Sequence, residues 1–160
     1  MLLHLLRHAD AGDPEAWEGP DAERPLSDKG RKQSNRLGAY LASIEFSGGP
    51  FITSPKIRAA ETAQLVADQV KAKVVEDRRL AAGLDAETVE AILDDAGDPE
   101  RPVLVGHDPD FSELLADLCG TPDVEMRKGA FARIEIGRPL RPGAGKLRWL
   151  IPPDALKPER

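Results

Sequence analysis

Apolar residues in this chain fall into short unbroken runs and longer periodic stripes, and the two kinds alternate. Leu2 to Leu6 is almost continuously apolar, as are Phe51 to Thr53 and, most clearly, Pro102 to Gly106. Runs of this length without polar alternation predict strands covered on both faces. Between them the apolar positions recur at helical spacing. Leu37, Tyr40, Leu41 and Ile44 predict a first helix over about 28–45 with Ser27 as its N-cap. Ile57, Leu65, Val66 and Val70 mark a second, which Ser54 would cap with Pro55 at its first position, where a missing N–H costs nothing. Val89, Ile92, Leu93 and Ala96 mark a third that Gly97 ends; Phe111, Leu114, Leu115 and Leu118 mark a fourth, opened by Asp108-Pro109 and stopped at Gly120. Val74-Val75 is a brief strand, and strands over about 130–136 and 146–151 come last.

This alternation predicts a three-layer α/β/α sandwich around a mostly parallel central sheet, with right-handed crossovers, in one domain over 1–160. Residues 11–26, with Gly12, Pro14, Gly19, Pro20 and Pro25, form a loop, and 138–146 is a flexible turn. In such sheets ligands bind beyond the carboxyl ends of the strands, so strand ends are where chemistry is sought.

Composition narrows the class. The 41% hydrophobic content is enough for a core, and 22 basic against 28 acidic residues give a net charge of −6. That balance argues against nucleic acid or an anionic membrane surface as a partner, and any anion pocket has to be a local positive island. A single cysteine, Cys119, excludes an intramolecular disulfide, and no Cys/His cluster has zinc spacing. The opening apolar run is too short for a membrane span or a signal core and is interrupted by His4. A soluble, cytoplasmic protein without a metal is expected.

Four residues carry the candidate chemistry. Arg7-His8 ends the first strand, Arg58 follows the second in Ser54-Pro55-Lys56-Ile57-Arg58-Ala59-Ala60-Glu61-Thr62, and His107 follows the third strong strand in Val105-Gly106-His107. Two arginines and two histidines at strand ends point to one anion pocket. His4, mid-strand among leucines, reads as structural; Trp17 is as readily a rim contact as a partial core residue. Lys71, Lys73, Arg78 and Arg79 read as a solvated face.

The ordered set Arg7-His8-Ala9, Ser54-Pro55-x-x-Arg58-Ala59-x-x-Thr62 and Gly106-His107 resembles the histidine phosphatase superfamily, the phosphoglycerate-mutase-like branch, although Ala9 stands where relatives carry glycine. Length and the Arg24-Pro25-Leu26-Ser27-x-x-Gly30 element make the chain most similar to the small phosphohistidine phosphatase subfamily of SixA type. The resemblance implies a phosphoglycerate-mutase-like fold and a phosphatase without cofactor or metal. His8 would be the nucleophile, and Arg7, Arg58 and His107 would hold the phosphoryl oxygens, aided by two helix N-termini. The guanidinium charges would keep His8 neutral, and His107 would be protonated when phosphate is bound. Larger relatives place an acid glutamate before the third helix. Here Leu80 to Glu87 offers no equivalent, since Asp85 and Glu87 suit a helix start; Asp10 is the other candidate.

The substrate so implied is a phosphorylated protein of the histidine phosphotransfer type. The alternatives are a small phosphorylated molecule and, from another class, a noncatalytic phosphate-binding module.

Overall fold

The structure, a computed structural model, describes residues 1–159. Six strands, β1 (Leu2–Arg7), β2 (Phe51–Thr53), β3 (Val74–Glu76), β4 (Val103–Gly106), β5 (Phe131–Glu135) and β6 (Lys146–Ile151), form one sheet in the order β3-β2-β4-β1-β5-β6. The pairings among β3, β2, β4 and β1 are parallel; β5 and β6 add an antiparallel edge. The helices are α1 (Asp28–Ser43), α2 (Ile57–Val70), α3 (Ala86–Asp95) and α4 (Asp110–Cys119).

Strand periodicity builds the layers. Successive side chains leave a strand on opposite faces, so Leu3, Leu5, Ile52, Leu104, Ala132 and Ile134 pack on one side with Val89, Ile92 and Leu93 of α3 and Phe111, Leu114, Leu115 and Leu118 of α4. Leu6, Phe51, Val103, Val105 and Phe131 face the other way, against Leu37 and Leu41 of α1 and Ala59, Ala63, Val66 and Ala67 of α2. Each fully buried Leu, Ile or Phe contributes about 1.5–3 kcal/mol, and both faces are filled with them. The three-layer α/β/α architecture is therefore as the hydrophobic pattern predicts.

Two predicted helix starts need correction. Ser54 does not cap α2, which begins at Ile57, two residues beyond Pro55, with the Ala59 and Ala60 N–H groups donating to the Lys56 carbonyl. The fourth helix begins at Asp110, after Pro109, although Asp108 Oδ1 still accepts from the Ser112 N–H of its first turn at 3.1 Å. The 138–146 segment is also not a free turn. Arg138 donates to Glu90 Oε2 and Asp94 Oδ1, each at 2.6 Å, and pairs with Asp98, so three carboxylates tie this segment to α3 and its exit.

Register places the strand ends together. Arg7 pairs with Gly106 and Thr53 with Val105, so His8, His107 and Ser54 emerge side by side at the carboxyl edge of three adjacent strands. Among the described residues no helix is long and apolar enough to cross a membrane.

Candidate active site

Arg7, His8, Arg58 and His107 line one pocket of about 420 Å³, together with Arg24, Lys56, Lys128, Asp108, Asp110 and the Ala81-Ala82-Gly83 loop. Five cationic side chains around one cavity, Arg7, Arg24, Lys56, Arg58 and Lys128, form the positive island that the net charge required. The four predicted residues are thus brought together.

His8 is fixed from both sides. Its N–H donates to the Gly106 carbonyl at 2.9 Å, and its own carbonyl accepts from Gly129 N–H at 2.9 Å. The Ala9 N–H donates to Thr62 Oγ1 at 3.1 Å, while that hydroxyl donates to the Arg58 carbonyl at 2.7 Å. Thr62 therefore couples the turn after β1 to the helix carrying Arg58. Ring Nδ1 of His8 donates to the Ala9 carbonyl at 2.7 Å, which leaves the Nε2 lone pair free. Burial, followed after the opposing Ala9 bond by the charges of Arg58, Arg7 and Lys128, lowers its pKa to about 4. The ring is neutral, but desolvation rather than the guanidinium charges is the leading cause.

His107 lies with its ring centroid 5.3 Å from that of His8. Ser54 Oγ accepts from the Lys56 N–H at 3.3 Å and shares a hydrogen bond with His107 Nε2 at 2.8 Å. The hydroxyl expected to cap α2 is instead committed to this ring. The other ring nitrogen, Nδ1, is buried and has no partner among the described residues. Burial first, then the charges of His8, Lys56 and Arg58, lower its pKa to about 3. The His107 ring is therefore neutral near pH 7.

Both arginines are held by their outer nitrogens. Arg7 Nη1 donates to the Met126 carbonyl at 2.8 Å and lies 3.6 Å from Asp108 Oδ2. Ser112 Oγ joins these supports, donating to Asp108 Oδ2 at 2.6 Å and accepting from Met126 N–H at 2.8 Å. Arg58 Nη1 donates to the Asp21 carbonyl and Nη2 to Asp21 Oδ2, both at 2.9 Å. The Nε atoms of Arg7 and Arg58 are buried and have no partner. Sequence reasoning missed Asp21, Ser112 and the Asp108 ion pair, because acidic and hydroxyl residues in loops and first turns carry no signal of a distant partner.

The acid candidates sit elsewhere. Asp85 is exposed and accepts from the Thr88 N–H at 2.8 Å, which caps α3, and hydrogen bonding from the Thr88 side chain, then its backbone, lowers its pKa; Glu87 is exposed in the first turn. Asp10 accepts from Ser27 Oγ at 2.6 Å, the leading cause of its lowered pKa, and lines a neighbouring cavity with Lys29, Gln33 and Lys128. Trp17 lines a separate hollow behind the first loop, its indole N–H donating to the Pro20 carbonyl at 3.0 Å. Among the described residues no group of three or more His, Cys, Asp or Glu side chains is placed to hold a metal ion.

The model of the histidine phosphatase superfamily (branch 1) matches residues 3–83, the half that carries Arg7, His8 and Arg58. An uncharacterized protein of Picosynechococcus sp. is 30% identical over 119 residues, covering 71% of this chain and 70% of the relative. The protein histidine phosphatase SixA complexed with tungstate superposes with a TM-score of 0.82 at 24% identity, over 98% of this chain and 100% of that one. The alpha-ribazole phosphatase from Shigella flexneri superposes with a TM-score of 0.73 at 19% identity, over 100% of both chains. At these identities the two structures show a shared fold.

Proposed function

The chain belongs to the histidine phosphatase superfamily and is a phosphatase of that family, and from this premise we propose that it hydrolyses phosphohistidine on a phosphorylated protein through a covalent intermediate on His8. One observation carries the phosphoryl site. Buried polar atoms without partners are costly and call for an unseen ligand, and the three side-chain nitrogens of this kind among the described residues, Arg7 Nε, Arg58 Nε and His107 Nδ1, all belong to this pocket. A phosphoryl group is the acceptor that satisfies them together.

The neutral His8 Nε2 attacks phosphorus as the bond to the leaving group breaks. Arg7, Arg58 and His107 balance the charge spread over the phosphoryl oxygens, and the Ala9 carbonyl stabilises the imidazolium formed on His8. Water then attacks the phosphohistidine, releases inorganic phosphate and restores His8. Preference for a nitrogen leaving group rests on the acid that the pocket lacks. The rim stretch Ala81-Ala82-Gly83 has no ionisable side chain, the Asp108 carboxylate accepts from Ser112 and lies 3.6 Å from Arg7 Nη1, and Asp110 belongs to the first turn of α4. A leaving alkoxide needs a proton, worth about a hundred- to ten-thousandfold from a placed acid; a histidine ring arrives already protonated. The basic rim of Arg24, Lys56 and Lys128 fits a phosphorylated protein as the partner.

The specificity constants for a phosphohistidine peptide, an aryl phosphate and a sugar phosphate at one pH test this. They are expected to fall in that order. A sugar phosphate that equals or beats the phosphohistidine peptide would replace the proposal with a small-molecule phosphomonoesterase.

A further inference from the structure

Arg58 reaches the pocket from α2, but what holds it comes from the first loop. Asp21 alone takes both of its outer nitrogens, one through the backbone carbonyl and one through the carboxylate. The second carboxylate oxygen, Oδ1, accepts from Arg24 Nε and Nη2 at 3.4 Å, and Arg24 is in turn fixed to the Ala11 carbonyl at 2.8 Å. Arg24 is only 7% exposed, whereas the Asp21 side chain is 56% exposed. An exposed carboxylate is thus braced by one buried guanidinium while it braces another. The same division recurs at Arg7, whose outer nitrogen is held by the Met126 carbonyl beside Asp108 while its Nε stays free.

We infer that Asp21 is a positioning residue for the phosphatase reaction, clamping the outer end of Arg58 so that its Nε–H is held ready for the phosphoryl group. The inference rests on the reading above that Arg58 contacts that group. A guanidinium fixed in advance loses little freedom when the transition state forms, and a misplaced one loses much of its effect. The opposite role would be a carboxylate that occupies the guanidinium until substrate displaces it. Two features argue against displacement. Half of the clamp is a backbone carbonyl, which a side-chain swing does not release, and the carboxylate is tethered to Arg24 through its other oxygen.

The test is a cycle of D21A, R58A and the double variant, with D21N alongside, assayed on an aryl phosphate and for inhibition by vanadate. D21A is expected to lower kcat/KM roughly ten- to a hundredfold and to weaken vanadate, with the melting temperature little changed. D21N, which keeps an oxygen acceptor, should recover part of the loss. In the R58A background D21A should cost nothing further, because its effect passes through Arg58. Faster turnover or tighter vanadate in D21A would show a displaced inhibitor and overturn the inference, as would an equal loss in both backgrounds, which would mark general support of the loop. A normal rate in R58A would remove the site reading itself, and is distinguished by needing no Asp21 variant.

Discussion

His4 and His8 both carry their proton on Nδ1, and what separates the three histidines is which nitrogen is left unbonded. His4 has none: Nδ1 donates to the Pro102 carbonyl at 3.0 Å and Nε2 accepts from Arg133 Nε at 3.0 Å, with Phe131 stacked on the ring. His8 keeps a free Nε2 lone pair, which suits the proposed nucleophile, and His107 keeps a free Nδ1, which suits the proposed contact with the phosphoryl oxygens. His8→Ala should therefore abolish turnover while the chain stays folded. Mass spectrometry of trapped enzyme should find an acid-labile, base-stable phosphoryl group on His8, and a normal rate in the variant would refute the assignment. Ser54→Ala makes a finer test. It removes the hydroxyl that anchors the His107 ring, so kcat should fall roughly tenfold, less than the ~100-fold expected when a donor itself is removed. An unchanged kcat would mean that Ser54 does not hold the ring in place.

At the scale of elements, Gly30 shows why α1 lies where it does. A Cβ there would come 1.9 Å from the Asp10 carbonyl oxygen, which already accepts from the Ser27 N–H at 3.0 Å. Helix propensity alone predicts that Gly30→Ala stabilises by about 1 kcal/mol. The clash with backbone outweighs it, so a net loss of about 1–3 kcal/mol is expected, read as a lower urea midpoint; a raised midpoint would show that the loop after His8 yields freely. The sequence made this layout largely legible: the apolar runs located the strands, and the ordered motifs located Arg7, His8, Arg58 and His107. What it hid was tertiary. Ser54-Pro55 carries every local mark of a cap and first-turn proline, yet a ring 53 residues away takes the hydroxyl. Asp21 and Ser112 look like ordinary loop and helix-start residues, and Arg138 stands in a Gly/Pro-rich stretch whose composition says nothing of the three carboxylates waiting on the other side.

For the whole molecule, the cluster of buried neutral histidines sets a pH limit. Burial leads the depression of all three, to about 4 for His4 and His8 and about 3 for His107, against 6.5 in the unfolded chain. Below 6.5 the unfolded state binds protons that the folded state refuses, so stability rises with pH across this window. The stability is fully present above 6.5 and is lost as pH falls toward 4. Each such histidine contributes a slope on the order of 1 kcal/mol per pH unit, a large share of the roughly 5–15 kcal/mol that holds a domain folded. His4, which is fully enclosed and touches no substrate, isolates the effect. His4→Gln keeps a donor for the Pro102 carbonyl and an acceptor for Arg133 but cannot be protonated. Urea midpoints at pH 7.5, 6.0 and 5.0 should fall steeply in the parent protein and less steeply in this variant, even if the variant is weaker at pH 7.5. Parallel slopes would show that His4 takes up its proton without unfolding, and a flat profile in the parent would show that burial does not hold these rings neutral.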